Sequence, residues 1–435
     1  MNNRITLFPH DVKVNDKNHL VIGGCDVVEM ADKYGTPLYL FDEQTLRKRC
    51  REFKHEFEKR YADTIVVYAS KAFIHSAMAV LLAQETIGMD VVSGGELYIA
   101  ESSGFPLEKV YFHGNNKSID ELKAALKCQV GRIVVDNQYE MLALASLAKD
   151  SNCNQDILLR ITPGVDAHTH SHIATGGIGS KFGFPMCDAE DAILRAMSMP
   201  NLNLVGLHFH IGSLIGEAGP YLDAIDVVLD LAAKMQIKHG FKLHELNVGG
   251  GYAVPYTVED NVPEIAYYAD QITGRIVTKC RSLCIALPRL VIEPGRSIVA
   301  QAGVALYGVG SIKDVSGPVR YVAVDGGMAD NIRPALYSAR YEAVLANRVN
   351  EDNTERVTIA GHFCESSDIL MRDIILPSVA IGDVIAVPMC GAYCLPMGSN
   401  YNAALKPPIV MLSDGHDRLV RRRETYQDLM HCDLP

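Results

Sequence analysis

Short apolar runs alternate with amphipathic segments through the first two thirds of this 435-residue chain. Eight of these runs have the length and composition of strands: Ile65–Ala69, Met89–Val92, Val110–His113, Arg132–Val135, Ile157–Ile161, Leu204–His208, Glu245–Val248 and Leu290–Ile292. Helical periodicity lies between most of them, for example at Ser76–Glu85 and Tyr221–Lys238. This repeated strand–helix unit predicts a parallel (β/α)8 barrel, although a doubly wound open sheet has the same alternation. The number of units and the length that they occupy favour the barrel.

The character of the sequence changes after Arg296. Five β-rich runs with little helical periodicity follow: Ile298–Gly310, Val319–Val324, Arg356–Ile359, Asp383–Val387 and Pro408–Leu412. They predict a second, mostly antiparallel β domain, so the fold class is α/β plus β. The segment before the barrel is too short to fold alone. The predicted organisation is a barrel over residues 45–297 and a β domain that joins residues 1–44 to residues 298–435.

Composition argues against several classes of partner. Asp and Glu total 52 against 41 Lys and Arg, and a net charge of −11 disfavours nucleic acid and anionic membranes. The N-terminal sequence lacks the apolar run of a signal peptide, and no apolar stretch has the length of a membrane span. The 11 cysteines are scattered and show no zinc-ribbon spacing. We therefore expect a cytoplasmic protein with reduced thiols and no metal.

Polar and flexible residues follow the predicted strands, where a barrel places its active site. Lys71 follows the first strand, and desolvation in a barrel mouth would make its amine a Schiff-base nucleophile. For any single lysine, a solvated strand end is the commoner interpretation. The sixth strand ends in His208-Phe209-His210-Ile211-Gly212-Ser213, where alternation places both histidines on one side. Zinc is conceivable there, but no third ligand is evident in the sequence.

Two further motifs follow the seventh and eighth strands. The backbone of Val248-Gly249-Gly250-Gly251-Tyr252 can close around a phosphate, although a tight turn needs glycines equally. In Glu293-Pro294-Gly295-Arg296, a buried carboxylate can hold a protonated ring nitrogen and the arginine can clamp an anion. A salt-bridged loop is the alternative interpretation of that motif. In the β domain, Cys364-Glu365-Ser366-Ser367-Asp368 offers a neutral thiol suited to proton donation, unless the cysteine is simply buried in a turn.

Together, in this order, these motifs resemble the barrel-type (fold type III) decarboxylases that depend on pyridoxal 5′-phosphate (PLP), and within them the diaminopimelate decarboxylase branch. The resemblance covers nearly the whole chain and includes Gly35-Thr36-Pro37-Leu38-Tyr39, Ser180-Lys181-Phe182-Gly183, Asp325-Gly326-Gly327-Met328, Arg333-Pro334-Ala335-Leu336-Tyr337, Gly391-Ala392-Tyr393 and Arg421-Arg422-Arg423-Glu424-Thr425. It implies an enzyme, a lyase that converts meso-2,6-diaminopimelate to L-lysine and CO2 in the last step of lysine biosynthesis.

The resemblance also implies a role for each matching residue. Lys71 is expected to hold PLP covalently and His210 to stack on its ring, while Glu293 pairs with the ring nitrogen. The remaining expected cofactor contacts are Ser213, Gly250, Gly251, Gly295, Arg296 and Tyr393. The expected substrate contacts are Arg296, Arg333, Tyr337, Glu365 and Tyr393, and Cys364 is expected to return the proton to Cα. Family members share their active sites across a homodimer, whose partner subunit supplies the cysteine segment.

Two positions depart from the family pattern, and both bear on substrate choice. Phe73 stands where many members have asparagine, and Ser367 stands where many have glycine. One alternative is a sister decarboxylase acting on ornithine, arginine or a D-amino acid; Glu365 counts against ornithine, because that branch tends to have aspartate there. A second alternative is a non-catalytic PLP-binding homologue, against which the chain retains Lys71, Glu293 and Cys364.

Overall fold

Eight parallel strands close into a barrel in the computed structural model, which describes residues 3–165, 177, 179–315 and 319–434. The barrel strands are β1 (Thr64–Ala69), β2 (Gly88–Val91), β3 (Val110–Phe112), β4 (Arg132–Val135), β5 (Gln155–Thr162), β6 (Leu202–His208), β7 (Glu245–Asn247) and β8 (Arg289–Ile292). Each pairs with the next, and β8 pairs with β1 through Leu290↔Thr64 and Ile292↔Val66, which closes the sheet. The predicted barrel is confirmed, because an open sheet would leave these two strands unpaired.

Helices follow the strands and are capped close to the strand ends. The barrel helices are α1 (Ser76–Gln84), α2 (Gly94–Ser102), α3 (Ile119–Lys127), α4 (Gln138–Asp150), α5 (Met186–Ser198), α6 (Gly219–His239) and α7 (Ile265–Leu283). The side chains of Ser93, Ser118 and Asn137 accept the hydrogen bonds that begin α2, α3 and α4. These caps fix the short connections between strand and helix at the C-terminal rim. In the connection after β5, residues 166–176 and 178 lie outside the described residues.

A twelve-residue strand, Gly303–Asp314, organises the β domain. It pairs antiparallel with Leu38–Asp42, Arg320–Val324 and Val384–Val387. The other strands of this sheet are Val344–Leu345, Glu355–Ala360, Ile369–Leu376, Ile409–Ser413 and His416–Arg421. Two of its pairings are parallel, so the domain is mixed but mostly antiparallel. Its main cluster of buried side chains takes apolar residues from both ends of the chain, from Phe8 to Leu412.

Details of the β domain differ from the sequence prediction. Residues 298 and 299 belong to a short helix, Arg296–Val299, rather than to the strand predicted from Ile298. Strands Ile369–Leu376 and His416–Arg421 were missed, because charged residues interrupt their apolar pattern. The N-terminal region adds a small sheet of Lys13–Val14, Leu20–Ile22 and Cys25–Asp26. The remaining α-helices are Val27–Tyr34, Glu43–Glu58, Arg333–Tyr337 and Tyr426–Leu429, and short 3-10 helices lie at Asn3–Leu7, Ser70–Ala72, Leu107–Lys109, Leu395–Met397 and Tyr401–Ala403.

The chain divides into two compact units. The barrel unit consists of Arg49–Ala253 and Val262–Ser297, and the β unit of Met1–Lys48, Val254–Asn261 and Ile298–Pro435. The sequence gives no sign that Val254–Asn261 leaves the barrel unit. Among the described residues, no helix combines the length and the apolar character needed to cross a bilayer.

A buried ion pair joins the loop after β3 to helix α4. Lys117 Nζ donates to Glu140 Oε1 at 2.6 Å and also to the backbone oxygens of Gly114 and Val134, both at 2.9 Å. The Lys117 and Glu140 side chains are 1% and 2% exposed. A charge so deeply buried is tolerated only with its partner in place, so this pair fixes the loop beside the barrel rim.

We therefore expect Lys117→Met to destabilise the protein by about 3–5 kcal/mol, because Glu140 is left as an unpaired buried charge. The double variant Lys117→Met/Glu140→Leu should recover most of that loss. Lys123→Met is the matched control, because its pair with Asp120 is exposed and 3.8 Å long. Urea unfolding measures the three variants; equal losses for Lys117→Met and Lys123→Met would contradict the prediction.

Candidate active site

The barrel-unit residues predicted for the site lie at the C-terminal ends of β1, β6, β7 and β8. They are Lys71, His210, Ser213, Gly250, Gly251, Glu293, Gly295 and Arg296. The first and last strands meet at this rim, where Ala69 N donates to Pro294 O at 3.2 Å. Gly295 packs against the same strand end, since a Cβ on it would lie 2.9 Å from the Ala69 Cβ. Barrel closure therefore brings the Glu293–Arg296 motif next to the Lys71 segment.

One corner of the rim combines a guanidinium, a hydroxyl and the backbone of the glycine loop. Arg296 Nη2 donates to Ser213 Oγ at 3.1 Å, and Gly250 N donates to His210 Nδ1 at 3.3 Å. Gly251 has a φ of +108°, and a Cβ there would lie 2.4 Å from Gly212 O. Only glycine permits this approach of two loop backbones. The corner has the donors that bind a phosphate group.

The Glu293 carboxylate is buried and surrounded by three side chains. Asn247 Nδ2 donates to Oε1 at 2.6 Å, while Nε2 of His113 lies 2.8 Å from the same oxygen. Nε2 of His208 lies 3.3 Å from Oε2. Burial by itself would raise the pKa of Glu293, but the two histidines outweigh burial and hold that pKa well below its usual value. Glu293 is thus an anion inside the barrel mouth.

The two histidines of the β6 motif are neutral at physiological pH and have different surroundings. Burial lowers the pKa of His208 to about 3 and that of His210 well below its usual value. His208 is grouped with His113 and Glu293, whose potential ligand atoms all lie within 4.8 Å of one another. The sequence suggested His208 with His210 and no third group. His113 ends the predicted third strand, which was the available signal for its position at the rim.

Two acids near Lys71 were also missed. The Lys71 ammonium acts electrostatically on Asp90, at the end of β2, and on Glu96, in the first turn of α2. Burial raises the pKa of Asp90, and it raises the pKa of Glu96 to about 7. Glu96 Oε2 accepts a hydrogen bond from Val92 N at 2.8 Å. Lys71 itself is exposed and so accessible to a ligand.

The Ser180-Lys181-Phe182-Gly183 motif packs against Arg160 on β5. The Arg160 guanidinium lies 4.2 Å from the centroid of the Phe182 ring. Gly183 has a φ of +71°, and a Cβ on it would lie 2.7 Å from Arg160 O. The motif therefore positions a buried arginine on the barrel rim through an aromatic face and a close backbone approach.

In the β unit, Arg333 is a buried cation between two aromatic rings. Its guanidinium lies 4.6 Å from the Tyr256 ring centroid and 5.5 Å from that of Tyr341, to whose hydroxyl it donates. Among the described residues, it forms no ion pair with a carboxylate. Tyr337 lies on the same short helix, Arg333–Tyr337. The Tyr256 contact is available because Val254–Asn261 belongs to the β unit.

Cys364 and Glu365 are exposed on a turn that Asp368 anchors. The buried Asp368 carboxylate accepts from Met328 N at 2.7 Å and from Phe363 N at 2.9 Å. Ser367 is not among the non-glycine residues with positive φ, so serine fits there without the conformational freedom of glycine. Tyr393, by contrast, has a φ of +61°, a strained conformation of the kind common at functional sites.

Arg333, Tyr337, Cys364, Glu365 and Tyr393 thus belong to the β unit, and the other eight predicted site residues to the barrel unit.

Comparisons with known proteins agree with this architecture. Residues 43–300 match the family model of the pyridoxal-dependent decarboxylase pyridoxal binding domain, and residues 218–391 match that of the C-terminal sheet domain. The chain is 45% identical over 432 residues to the diaminopimelate decarboxylase of Bacillus subtilis strain 168, covering 99% of this chain and 98% of that one.

Solved structures extend the likeness to three dimensions. The diaminopimelate decarboxylase of M. jannaschii in co-complex with L-lysine superposes with a TM-score of 0.92 at 35% identity, covering 100% of this chain and 99% of that one. The Helicobacter pylori diaminopimelate decarboxylase complexed with L-lysine gives a TM-score of 0.86 at 32% identity, covering 93% and 98%.

Fold, rim and family models together define an enzyme, a PLP-dependent decarboxylase of the barrel type. Within that class, the chain belongs to the diaminopimelate decarboxylase family. PLP is its cofactor, and the residues present fit PLP: a lysine for the aldehyde, a buried anion for the ring nitrogen, and a donor-rich corner for the phosphate.

The raised pKa of Glu96 predicts a pH-dependent contribution to stability. Its folded pKa of about 7 lies above the ordinary value of 4.5, so its contribution is full below pH 4.5 and is lost as the pH rises through 7. Glu96→Gln keeps an acceptor for Val92 N. We expect the stability of this variant relative to the parent to increase between pH 4.5 and 7 and then level off.

Glu121→Gln is the control of opposite sign. Burial would raise the pKa of Glu121, but hydrogen bonds from Ser118 N and Gly94 N outweigh burial and lower that pKa. Its stabilising contribution is present at neutral pH, so this variant should lose stability relative to the parent as the pH rises. Chemical unfolding at several pH values measures both variants. A difference between parent and Glu96→Gln that does not change with pH would contradict the prediction.

Proposed function

We propose that this protein decarboxylates meso-2,6-diaminopimelate to L-lysine and CO2, the last step of lysine biosynthesis. The observation that carries the proposal is the Glu293 carboxylate, held as a buried anion at the barrel rim that also bears Lys71. When bound, PLP accepts the electron pair that the substrate Cα–carboxylate bond releases, provided that its ring nitrogen stays protonated. A buried carboxylate at that nitrogen keeps the proton in place. The full-length likeness to diaminopimelate decarboxylases supports the choice of reaction.

The barrel residues would bind and orient the cofactor. Lys71 supplies the amine that links to the aldehyde carbon, and the neutral imidazole of His210 provides a flat face for the ring. Ser213 and Arg296, which are already joined by a hydrogen bond, would donate to the phosphate. The backbone N–H groups of Gly250 and Gly251 would donate to it as well, and Gly295 permits the close approach of β8 to β1.

The β-unit residues would bind the substrate and return a proton. Arg333 is buried without a carboxylate partner among the described residues, which leaves its charge available to a substrate carboxylate. Tyr337 lies about one helical turn from Arg333 on the same short helix. Tyr393 is half-buried and follows the sheet strand Val384–Val387 in sequence. Glu365 is suited to the distal ammonium group, and the exposed Cys364 thiol to protonating Cα once CO2 has left.

A homodimer with shared active sites completes the proposal. Cys364 and Glu365 are exposed on their turn, as expected of groups that serve a site on a second subunit. Each of the 11 cysteines is a free thiol, which is consistent with a cytoplasmic setting. The acidic surface gives no support to a nucleic-acid or membrane partner.

The first test is CO2 release from PLP-loaded protein with meso-diaminopimelate, lysine, ornithine or arginine as substrate. We expect strong preference for meso-diaminopimelate, because Arg333 suits the second carboxylate, which lysine, ornithine and arginine lack, while Glu365 suits the distal ammonium group. Borohydride reduction followed by peptide mapping should find the pyridoxyl group on Lys71. Preferred turnover of ornithine, lysine or arginine would contradict the substrate. A labelled Lys71 without CO2 release from any amino acid would indicate a non-catalytic PLP-binding protein.

Mixing two inactive variants tests the shared site. Lys71→Ala and Cys364→Ala homodimers should each have little activity, because each lacks one essential group in both sites. After subunit exchange, heterodimers contain one site with both groups intact, so the mixture should regain about a quarter of the parent activity if subunits pair at random. Absence of recovery despite exchange, verified with tagged subunits, would contradict sharing.

A further inference from the structure

The surroundings of Glu293 go beyond what binding the ring nitrogen requires. Glu293 and the three side chains around it are 6% exposed or less, and they come from four different parts of the barrel. His113 follows β3, His208 ends β6 and Asn247 ends β7, while Glu293 follows β8. A carboxylate held from three directions cannot change rotamer without breaking contacts on both oxygens. Its position is therefore fixed before any ligand arrives.

Asn247 has only one orientation available. Its Oδ1 accepts a hydrogen bond from Gly249 N at 2.9 Å, so its amide N–H groups face Glu293, to which it donates at 2.6 Å. The loop that is proposed to bind the phosphate thus also fixes the amide beside the carboxylate. The two ends of the cofactor site are linked through this single side chain.

Two of the three surrounding groups, Asn247 and His208, stabilise the anion without cancelling its charge. Asn247 is uncharged, and burial keeps His208 uncharged by lowering its pKa to about 3. The His113 ring packs edge-on to the His208 ring at 4.8 Å; its Nε2 is close to Glu293 but poorly aligned for a hydrogen bond. A lysine or arginine in these places would form an ion pair with Glu293 and compete with a protonated ring nitrogen. Asn247 and the neutral His208 leave the negative charge of Glu293 for the cofactor.

We propose that His113, His208 and Asn247 are positioning residues that hold the Glu293 carboxylate as an anion directed at the ring nitrogen of bound PLP. This inference rests on the proposed function, in which Glu293 faces that nitrogen. The positioning residues act through Glu293 and do not themselves touch substrate. Their contribution is the proton on the ring nitrogen, and so the capacity of the ring to accept the electron pair.

Binding of two cofactors to the apoprotein tests the inference without relying on activity. The probes are PLP and 1-deaza-PLP, in which a C–H group replaces the ring nitrogen. We expect His208→Leu to weaken PLP binding about tenfold to a hundredfold, the usual effect of losing a hydrogen bond to a charged group. Binding of 1-deaza-PLP should be unchanged. His208→Gln, which keeps an N–H donor, should restore most of the difference. His113→Leu should also weaken PLP binding and leave 1-deaza-PLP binding unchanged, because it removes the ring whose Nε2 lies 2.8 Å from Glu293 Oε1.

Two further variants make the outcomes distinguishable. Tyr111→Phe is the matched control, because it removes a 2.9 Å hydrogen bond to another buried carboxylate of the barrel, that of Glu245, and should leave both affinities unchanged. If Glu293→Gln does not separate the two cofactors, the proposed role of Glu293 fails. If Glu293→Gln separates them but the histidine variants weaken both equally or neither, only this inference is overturned. Stoichiometric metal bound to His113, His208 and Glu293 in the purified protein would also overturn it.

Discussion

The pairing of β8 with β1 is the interaction on which the site depends. It joins residues more than two hundred positions apart in sequence, through Leu290↔Thr64, Val291↔Ile65 and Ile292↔Val66. In an open sheet these strands would be opposite edges, and the Glu293–Arg296 motif would lie far from Lys71. Closure places the two segments in contact at one rim. The chemistry of the site thus depends on the pairing of the eighth strand with the first.

Neighbouring backbones of the barrel approach each other closely at two glycines. A Cβ on Gly250 would lie 1.9 Å from Glu293 O, and a Cβ on Gly206 would lie 1.9 Å from Glu245 O. Both glycines are therefore required by the packing of adjacent strands rather than by turn geometry. Gly250 is required because its backbone lies against Glu293 O, whereas Gly251, with its φ of +108°, is required by the conformation of the turn.

Sequence periodicity predicts the barrel well because its signals are local. Each strand is a short apolar run followed by a capped helix, so the C-terminal strand ends can be identified and candidate residues placed there. What periodicity cannot show is which strand-end side chains face one another across the barrel. His113 and His208 are 95 positions apart, and their common contact with Glu293 exists only after closure. The same limit applies to Tyr256, which packs on Arg333 because the short segment Val254–Asn261 belongs to the β unit.

Four carboxyl groups at the barrel rim, three of them buried and one half-buried, show how the surroundings determine the charge of a carboxyl group. Burial raises the pKa of Asp90, Glu96 and Asp136, and the Oδ1 atoms of both aspartates have no hydrogen-bond partner in the described part of the chain. Glu293 is also buried, at 6% exposed against 2% for Asp90 and 4% for Asp136, yet its pKa is lowered, because His113 and His208 lie beside its two oxygens. Burial alone therefore raises the pKa of these carboxyl groups, and at Glu293 the adjacent histidines reverse that direction. The charge of a buried carboxyl group in this barrel is thus set by the side chains that closure brings against it, and not by the depth of its burial.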